Sequence, residues 1–206
     1  NYYLNWADCE DANLPGLSIV GYLSALERLH IPYEVMESNH IQNLSRLKLL
    51  IMPFPLIVNK KIVKHLYDFV SKGGTILIEG EIDAYDSLGF YRYSGDDRLF
   101  EGLLGIKDEG RRVIKEKTIR FKIGKKSFKL KPDLWINPLI AKNATILAKR
   151  ANNIAGIEKK EGKGRVVAIG TFLGKVYQEK PYDDFEEFLY EIIAKADALP
   201  DIKIKK

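Results

Sequence analysis

The sequence contains a single cysteine, Cys9, and only three histidines. A lone cysteine excludes an internal disulfide and a cysteine-based zinc site, and it is typical of proteins from a reducing compartment. The histidines lack the spacing of metal ligands. We therefore expect no metal, no cofactor and a cytoplasmic location.

Long apolar segments are also missing. No hydrophobic run approaches the length of a membrane span, and the N-terminal residues lack the basic-then-apolar pattern of a signal peptide. We expect a soluble chain without a membrane partner. Because Asn1 leads almost at once into a strand-like stretch without an initial methionine, we interpret the sequence as part of a longer protein, whose preceding part can carry targeting information.

The motifs of common enzyme sites are absent as well. There is no Gly-x-Ser-x-Gly elbow, no Gly-x-Gly-x-x-Gly dinucleotide loop and no Walker-type phosphate loop. The glycine-rich stretch 161–164 precedes a predicted strand rather than a helix, so it is interpreted as a turn. Cys9 lies in an acidic loop, which disfavours the reactive thiolate. We predict no catalytic residue.

Charge gives no sign of a nucleic-acid partner. The 33 basic residues are nearly balanced by 28 acidic ones, the net charge is +5, and both signs are spread along the chain. A nucleic-acid binder more often has a basic stripe with interleaved aromatic residues. The densest basic stretches, Lys122–Lys131 and Lys203–Lys206, are interpreted as a solvated strand face and a tail.

What the sequence does contain is a clear strand, helix and strand between Lys48 and Gly80. Leu49–Met52 and Thr75–Ile78 are short apolar runs bounded by proline and glycine. Between them, apolar residues recur at helical spacing from Ile62 to Val70, with lysines on the other side. A helix that joins two such strands predicts a parallel sheet with helices on both faces.

The stretch before this block continues the alternation. It predicts a strand at Tyr2–Trp6, a helix at Leu17–Leu29, a second strand at Tyr33–Met36 and a helical turn at Asn43–Arg46. Strands alternating with helices in this order are typical of α/β proteins. We predict a flavodoxin-like three-layer sandwich with a mostly parallel sheet.

After Gly80 the pattern changes. A polar, aromatic loop is expected from Glu81 to Asp97, followed by a short helix that ends at Gly105. From Arg112 onward the apolar period becomes two, which predicts a hairpin starting at Ile119 and further strands. We expect one domain over residues 1–198 with a β-rich insertion at about 111–160, a last regular element in the helix Tyr182–Ala196, and a linker or tail over 199–206.

One group of side chains follows the Thr75 strand, where open α/β sheets bind ligands. Carboxylates beside aromatic rings can grip a sugar or act as acid and base, although a solvated or interface loop has the same composition. The tryptophans, Trp6 and Trp135, are interpreted as packing or interface residues. The candidate ligand-binding residues are Glu79, Glu81, Asp83, Tyr85, Tyr91 and Tyr93.

Several of these segments together resemble the middle, trimerisation domain of glycoside hydrolase family 42 β-galactosidases. The resembling segments are GYLSALERLHIPYEV, LLIMPFPLIVNKKIVKHLYDFVSKGGTILIEG, RLFEGLLGI and GKGRVVAIGTFLG. The resemblance implies a fold similar to class I glutamine amidotransferases, self-association as a trimer, and catalytic glutamates on a separate barrel of the parent chain. Amidotransferases carry a cysteine after a central strand; here that strand continues into Glu81, which implies that glutaminase chemistry is absent. The lysine-rich hairpin from Lys115 to Lys131 departs from the family pattern.

Three functions are therefore open. The first is a non-catalytic assembly module of a β-galactosidase-like glycoside hydrolase. The second is a carbohydrate-binding module that uses the acidic and aromatic loop. The third is a stand-alone amidotransferase-like enzyme that uses an acidic residue such as Glu79 or Glu81, for which a shared fold alone is weak support.

Overall fold

The computed structural model describes residues 14–92, 98–133 and 135–200. In chain order its elements are α1 (Leu14–Arg28), a 3₁₀ helix (Ser38–Arg46), β1 (Leu49–Pro53), α2 (Lys60–Ser71), β2 (Thr75–Glu79), α3 (Leu99–Leu104), β3 (Ile106–Asp108), β4 (Arg112–Val113), β5 (Ile119–Ile123), β6 (Lys126–Leu130), β7 (Trp135–Ile136), β8 (Leu139–Ala141), β9 (Ala144–Arg150), β10 (Asn153–Glu161), β11 (Gly164–Ile169), α4 (Leu173–Glu179) and α5 (Asp183–Lys195).

The main sheet has seven described strands in the order β1-β2-β11-β10-β9-β5-β6. β2 pairs in parallel with β1 on one side and with β11 on the other. The other four pairings are antiparallel. Short turns produce three of them, by joining β5 to β6, β9 to β10 and β10 to β11, and the fourth joins β5 to β9. The predicted α/β class and parallel core are confirmed. The prediction of a mostly parallel sheet holds for the half formed by β1, β2 and β11. The β-rich stretch extends the same sheet with antiparallel strands.

Both faces of the parallel half are covered, as the strand pattern predicted. In β2, Ile76 and Ile78 pack on one face against the buried side of α2, while Leu77 packs on the other with α1, α4 and α5. Side chains that alternate between two buried faces explain why this strand is apolar throughout. Asn59 starts α2 by accepting a 2.9 Å hydrogen bond from the Ile62 amide.

Helices α1 and α4 cross with their backbones in contact. A Cβ placed on Gly21 would lie 1.8 Å from the Gly174 carbonyl oxygen, and one on Gly174 would lie 2.6 Å from the Ser18 carbonyl oxygen. Only glycine permits this approach at either position. α4 was not predicted, because its seven residues give too short a pattern to separate from a loop.

The lysine-rich hairpin has the period predicted from the sequence. Ile119, Phe121 and Ile123 are buried while the intervening basic side chains are exposed. Lys126 forms a 2.6 Å ion pair with Glu191 of α5. The basic stretch is therefore a solvated strand face that is partly neutralised by the neighbouring helix.

One strand prediction is wrong for the described part of the chain. Residues 33–36 have no ladder partner there and are not a strand. A β-strand requires a paired neighbour, and none of the described residues provides one. The strand predicted at Tyr2–Trp6, Cys9 and residues 201–206 of the predicted linker or tail lie outside the described residues. The domain boundary at 198 stays a prediction. No helix within the described ranges is long and apolar enough to cross a membrane.

Candidate functional site

The loop that follows β2 lies at the carboxyl end of the parallel strands. Residues 80–92 contain no helix or strand beyond an isolated bridge between Tyr85 and Tyr91. This edge of the sheet is where the sequence placed a ligand site. In the structure, the acidic residues at this edge form hydrogen bonds and ion pairs with other residues of the protein.

Glu79 ends β2 and is buried, with 1% of its surface exposed. One carboxylate oxygen accepts a 2.7 Å hydrogen bond from the Ser18 hydroxyl, and the other accepts from the Tyr22 hydroxyl at 2.7 Å and the Gly174 amide at 2.9 Å. Burial raises the pKa of the Glu79 carboxyl to about 7, and the hydrogen bonds offset part of the rise. Glu79 therefore links α1, β2 and α4 inside the protein.

Glu81 is held by an arginine from the β-rich stretch. The Arg111 guanidinium donates to both carboxylate oxygens, at 2.8 and 3.3 Å. The same guanidinium lies 5.9 Å from the ring centre of Phe54 and 6.0 Å from that of Trp135. Trp135 is thus a packing residue, as predicted from the sequence. The ion pair ties the loop to the segment directly before β4, and the contact with the Trp135 ring extends this link to β7.

Asp83 organises the beginning of α3. One carboxylate oxygen accepts from the Leu99 amide and, at 3.3 Å, from the Phe100 amide, while the other accepts from Arg92 at 2.7 Å. Burial raises the pKa of the Asp83 carboxyl above its ordinary value, and Arg92 opposes that rise. The side chain satisfies amides that a helix leaves unpaired at its first turn.

The tyrosines close the base of the loop. The rings of Tyr85 and Tyr91 meet edge to face, with centres 5.5 Å apart. The Tyr91 hydroxyl accepts a 2.9 Å hydrogen bond from Arg98, which also forms a buried ion pair with Asp108. Tyr93 lies outside the described residues.

The end of the loop, residues 86–90, is called the apolar tip here. The Asp86 carboxylate accepts hydrogen bonds from the Leu88 amide at 2.8 Å and the Phe90 amide at 2.9 Å, and the Asp86 amide donates to the Phe90 carbonyl at 2.9 Å. Gly89 allows the turn with φ = 86°. Leu88 and Phe90 are 67% and 68% exposed. Two large apolar side chains thus stand in solvent on an ordered turn.

The sequence located this loop at the carboxyl edge of the sheet, but it did not reveal how the acidic residues of the loop are bonded. Glu79, Glu81 and Asp83 are close in sequence and lie at the same sheet edge, yet each is bonded to internal partners. Ligand binding by the predicted residues stays a prediction. The arginines that pair with the acids went unnoticed, and so did the apolar tip, although Asp86-Ser-Leu-Gly is a recognisable turn sequence. No group of three or more His, Cys, Asp or Glu side chains in the described ranges could hold a metal ion.

Comparison with known proteins agrees with a mixed α/β domain. Residues 17–199 match the family model described as the β-galactosidase trimerisation domain. The chain belongs to this family. The resemblance identified from the sequence is thereby confirmed at the family level.

Solved structures with similar folds include two β-galactosidases. A catalytic mutant of Gan42B, a GH42 β-galactosidase from G. stearothermophilus, has 21% identity and a TM-score of 0.71, and the match covers 91% of this chain and 27% of that one. The β-galactosidase from Bacillus circulans sp. alkalophilus has 15% identity and a TM-score of 0.74, covering 93% of this chain and 29% of that one. This chain therefore spans less than a third of the length of either enzyme.

A third similar structure is a cytoplasmic protein from Salmonella typhimurium LT2. It has 15% identity and a TM-score of 0.61, and the match covers 85% of this chain and 86% of that one. A comparison with curated proteins gave no match. At these identities the structural similarities show a shared fold alone.

Proposed function

We propose that this chain is a non-catalytic assembly domain through which copies of a β-galactosidase-like glycoside hydrolase associate as homotrimers. The family match supports self-association, and the resemblance implies that the catalytic barrel lies elsewhere in the parent protein. A flavodoxin-like sandwich of the class I glutamine amidotransferase type and a cytoplasmic location are parts of the same proposal.

The observation that carries the proposal is the apolar tip. Large exposed apolar groups on an ordered surface are typical of protein interfaces. Burying the exposed part of Leu88 or Phe90 against a neighbour contributes roughly 1–2 kcal/mol for each side chain. Because Asp86 already holds the backbone of the turn, little conformational entropy is lost when the tip is covered.

The bonding of the acidic residues supports a non-catalytic role. Glu79 is enclosed by α1 and α4, Glu81 is paired with Arg111, and Asp83 serves the first turn of α3. A general acid or base must reach its substrate. These carboxylates instead fix the loop that presents the tip.

The test is the mass of the assembly in solution, measured by light scattering on the chain and on its parent protein. We expect a trimer that the double variant Leu88→Ser/Phe90→Ser dissociates. Ile146→Ser is the matched control, because Ile146 is 42% exposed on β9, three strands from β2 in the sheet. It should leave the trimer intact.

The outcomes separate two claims. Protein that stays monomeric at high concentration refutes the assembly role. A trimer that survives the double variant refutes the role of the tip and leaves the assembly role standing.

A further inference from the structure

The chain around β7 crosses the end of β11 and is bonded to two adjacent residues there. The Asn137 amide donates to the Gly170 carbonyl at 2.6 Å, and the Asp133 amide donates to the Thr171 hydroxyl oxygen at 3.2 Å. The Thr171 hydroxyl in turn donates to the Trp135 carbonyl at 2.8 Å. Because the two acceptor residues are neighbours in the chain, these bonds bring Asp133 and Asn137 to the same end of β11.

Both of these side chains are buried. Asn137 is 1% exposed and Asp133 is 8% exposed. A Cβ on Gly170 would lie 2.0 Å from the Asn137 carbonyl oxygen, so the two backbones are in direct contact and only glycine permits the approach. Bulk solvent does not reach these polar side chains, and each needs a hydrogen-bond partner inside the protein.

Three buried polar atoms of this region lack such a partner among the described residues. In those ranges, four buried side-chain nitrogen or oxygen atoms form no hydrogen bond, and three of the four are Asn137 Oδ1, Asn137 Nδ2 and Asp133 Oδ2. An amide or carboxylate that is buried without hydrogen bonds destabilises the folded state. The concentration of three such atoms at one end of one strand marks a binding site.

The other oxygen of Asp133 defines the charge of the site. It accepts from Lys175 Nζ at 3.1 Å, and both side chains of this ion pair are buried. The second oxygen, Asp133 Oδ2, remains a strong acceptor. The site therefore offers two acceptors, from Asp133 and from the Asn137 carbonyl group, and one donor group, the Asn137 amide nitrogen.

This set of atoms selects the class of ligand. A cation would meet the N–H groups of Asn137 and the ammonium of Lys175, and an anion would meet the Asp133 carboxylate. An apolar molecule would leave all three atoms unbonded. A small neutral molecule that both donates and accepts hydrogen bonds matches them. Water is the molecule of this kind that enclosed polar sites in protein interiors hold.

We propose that Asp133 and Asn137 bind ordered water inside the domain, at the end of β11. The water donates to Asp133 Oδ2 and Asn137 Oδ1 and accepts from Asn137 Nδ2. Because the two ends of one amide group point in different directions, more than one molecule is required. The bound water adds to the backbone bonds that hold the chain around β7 against β11. This inference does not depend on trimer formation.

The first measurement uses the native chain. In NOE and ROE spectra of isotope-labelled protein, water that stays bound while the molecule tumbles gives cross-peaks of opposite sign, whereas exchanging protons and transient surface water do not. We expect cross-peaks of opposite sign between the Asn137 side-chain NH₂ group and water.

The second measurement compares two variants. Asn137→Leu removes the amide with little change in size, and Asn152→Leu is the matched control, because Asn152 is exposed in the turn between β9 and β10. Water relaxation dispersion counts the long-lived water molecules of a protein. The count should fall by about two in Asn137→Leu and keep its native value in Asn152→Leu. The backbone amides at 133 and 137 should exchange about tenfold faster in Asn137→Leu alone.

Two results overturn the proposal. The first is an Asn137 NH₂ group without a bound-water cross-peak, including one whose cross-peaks lead only to another side chain of the protein. The second is an Asn137→Leu variant that folds, as judged by circular dichroism, and keeps the native count of long-lived water. If Asn137→Leu does not fold, the spectra of the native chain decide alone. Bound-water cross-peaks in the native chain, with a lower count in the folded variant, establish the site.

Discussion

The buried carboxyl of Glu79 makes the stability of this domain depend on pH. Burial raises the pKa of this group from 4.5 to about 7, so the folded state binds its proton more tightly than the unfolded state does. Below pH 4.5 both states are protonated and the contribution of Glu79 to stability is largest. As the pH rises through 7 that contribution is lost, because the buried carboxylate must then be formed.

The size of the effect follows from the two pKa values. The difference between a pKa of 4.5 in the unfolded state and about 7 in the folded state lowers the free energy of unfolding by about 3 kcal/mol between pH 4.5 and pH 8. Glu79→Gln removes the titration and keeps the shape. Its amide oxygen can accept from Tyr22 and the Gly174 amide, and its amide nitrogen can donate to the Ser18 hydroxyl oxygen.

The assay is urea unfolding at pH 5, 6, 7 and 8, followed by circular dichroism, with the variant and the native chain compared at each pH. The native chain should lose stability relative to Glu79→Gln as the pH rises, by roughly 2.5 kcal/mol between pH 5 and pH 8, because part of the effect falls below pH 5. Glu187→Gln is the control, because Glu187 is exposed on α5 and its replacement should leave the pH profile unchanged. Two results would refute this reasoning. The first is a stability difference between the native chain and Glu79→Gln that does not change with pH. The second is a native chain that loses stability relative to the variant as the pH falls.

Other residues give independent tests. Gly21→Ala should destabilise the domain by about 2 kcal/mol or more, because its methyl group overlaps the Gly174 carbonyl; unfolding that matches the native chain would show that the α1–α4 crossing can relax. Asp86→Ala should speed hydrogen exchange of the amides in the apolar tip by about tenfold and weaken the trimer, while the melting temperature changes little. Amides that exchange as slowly as in the native chain would mean that Asp86 does not fix the backbone of the tip. Arg98→Met should cost about 3–5 kcal/mol in urea unfolding, because Asp108 is left buried without its partner, and a loss below 1 kcal/mol would contradict this.

The parts of the fold that were predictable are those encoded by neighbouring residues. The β1, α2 and β2 block was predicted because its periods are local, and the turn at 161–164 and the helix end at Gly105, with φ = 62°, follow from glycine chemistry. The joining of the antiparallel strands to the parallel core depends on pairing between distant segments. No periodicity records such pairing, so the sheet as a whole was only partly predictable.

The same distinction applies to the candidate site. That carboxylates follow β2 could be predicted from position alone. Which groups bond to them could not, because Ser18 and Gly174 are 61 and 95 residues away from Glu79 in the chain. Burial and bonding of a polar residue are properties of the packed structure, and composition alone favoured an accessible loop.

The apolar tip is anchored through side chains at its base, where Arg92 binds Asp83 and the Tyr91 hydroxyl binds Arg98. The outward residues Leu88 and Phe90 take no part in that anchoring. Substituting these two side chains therefore changes which surface the loop can contact, while the interior of the domain keeps its packing.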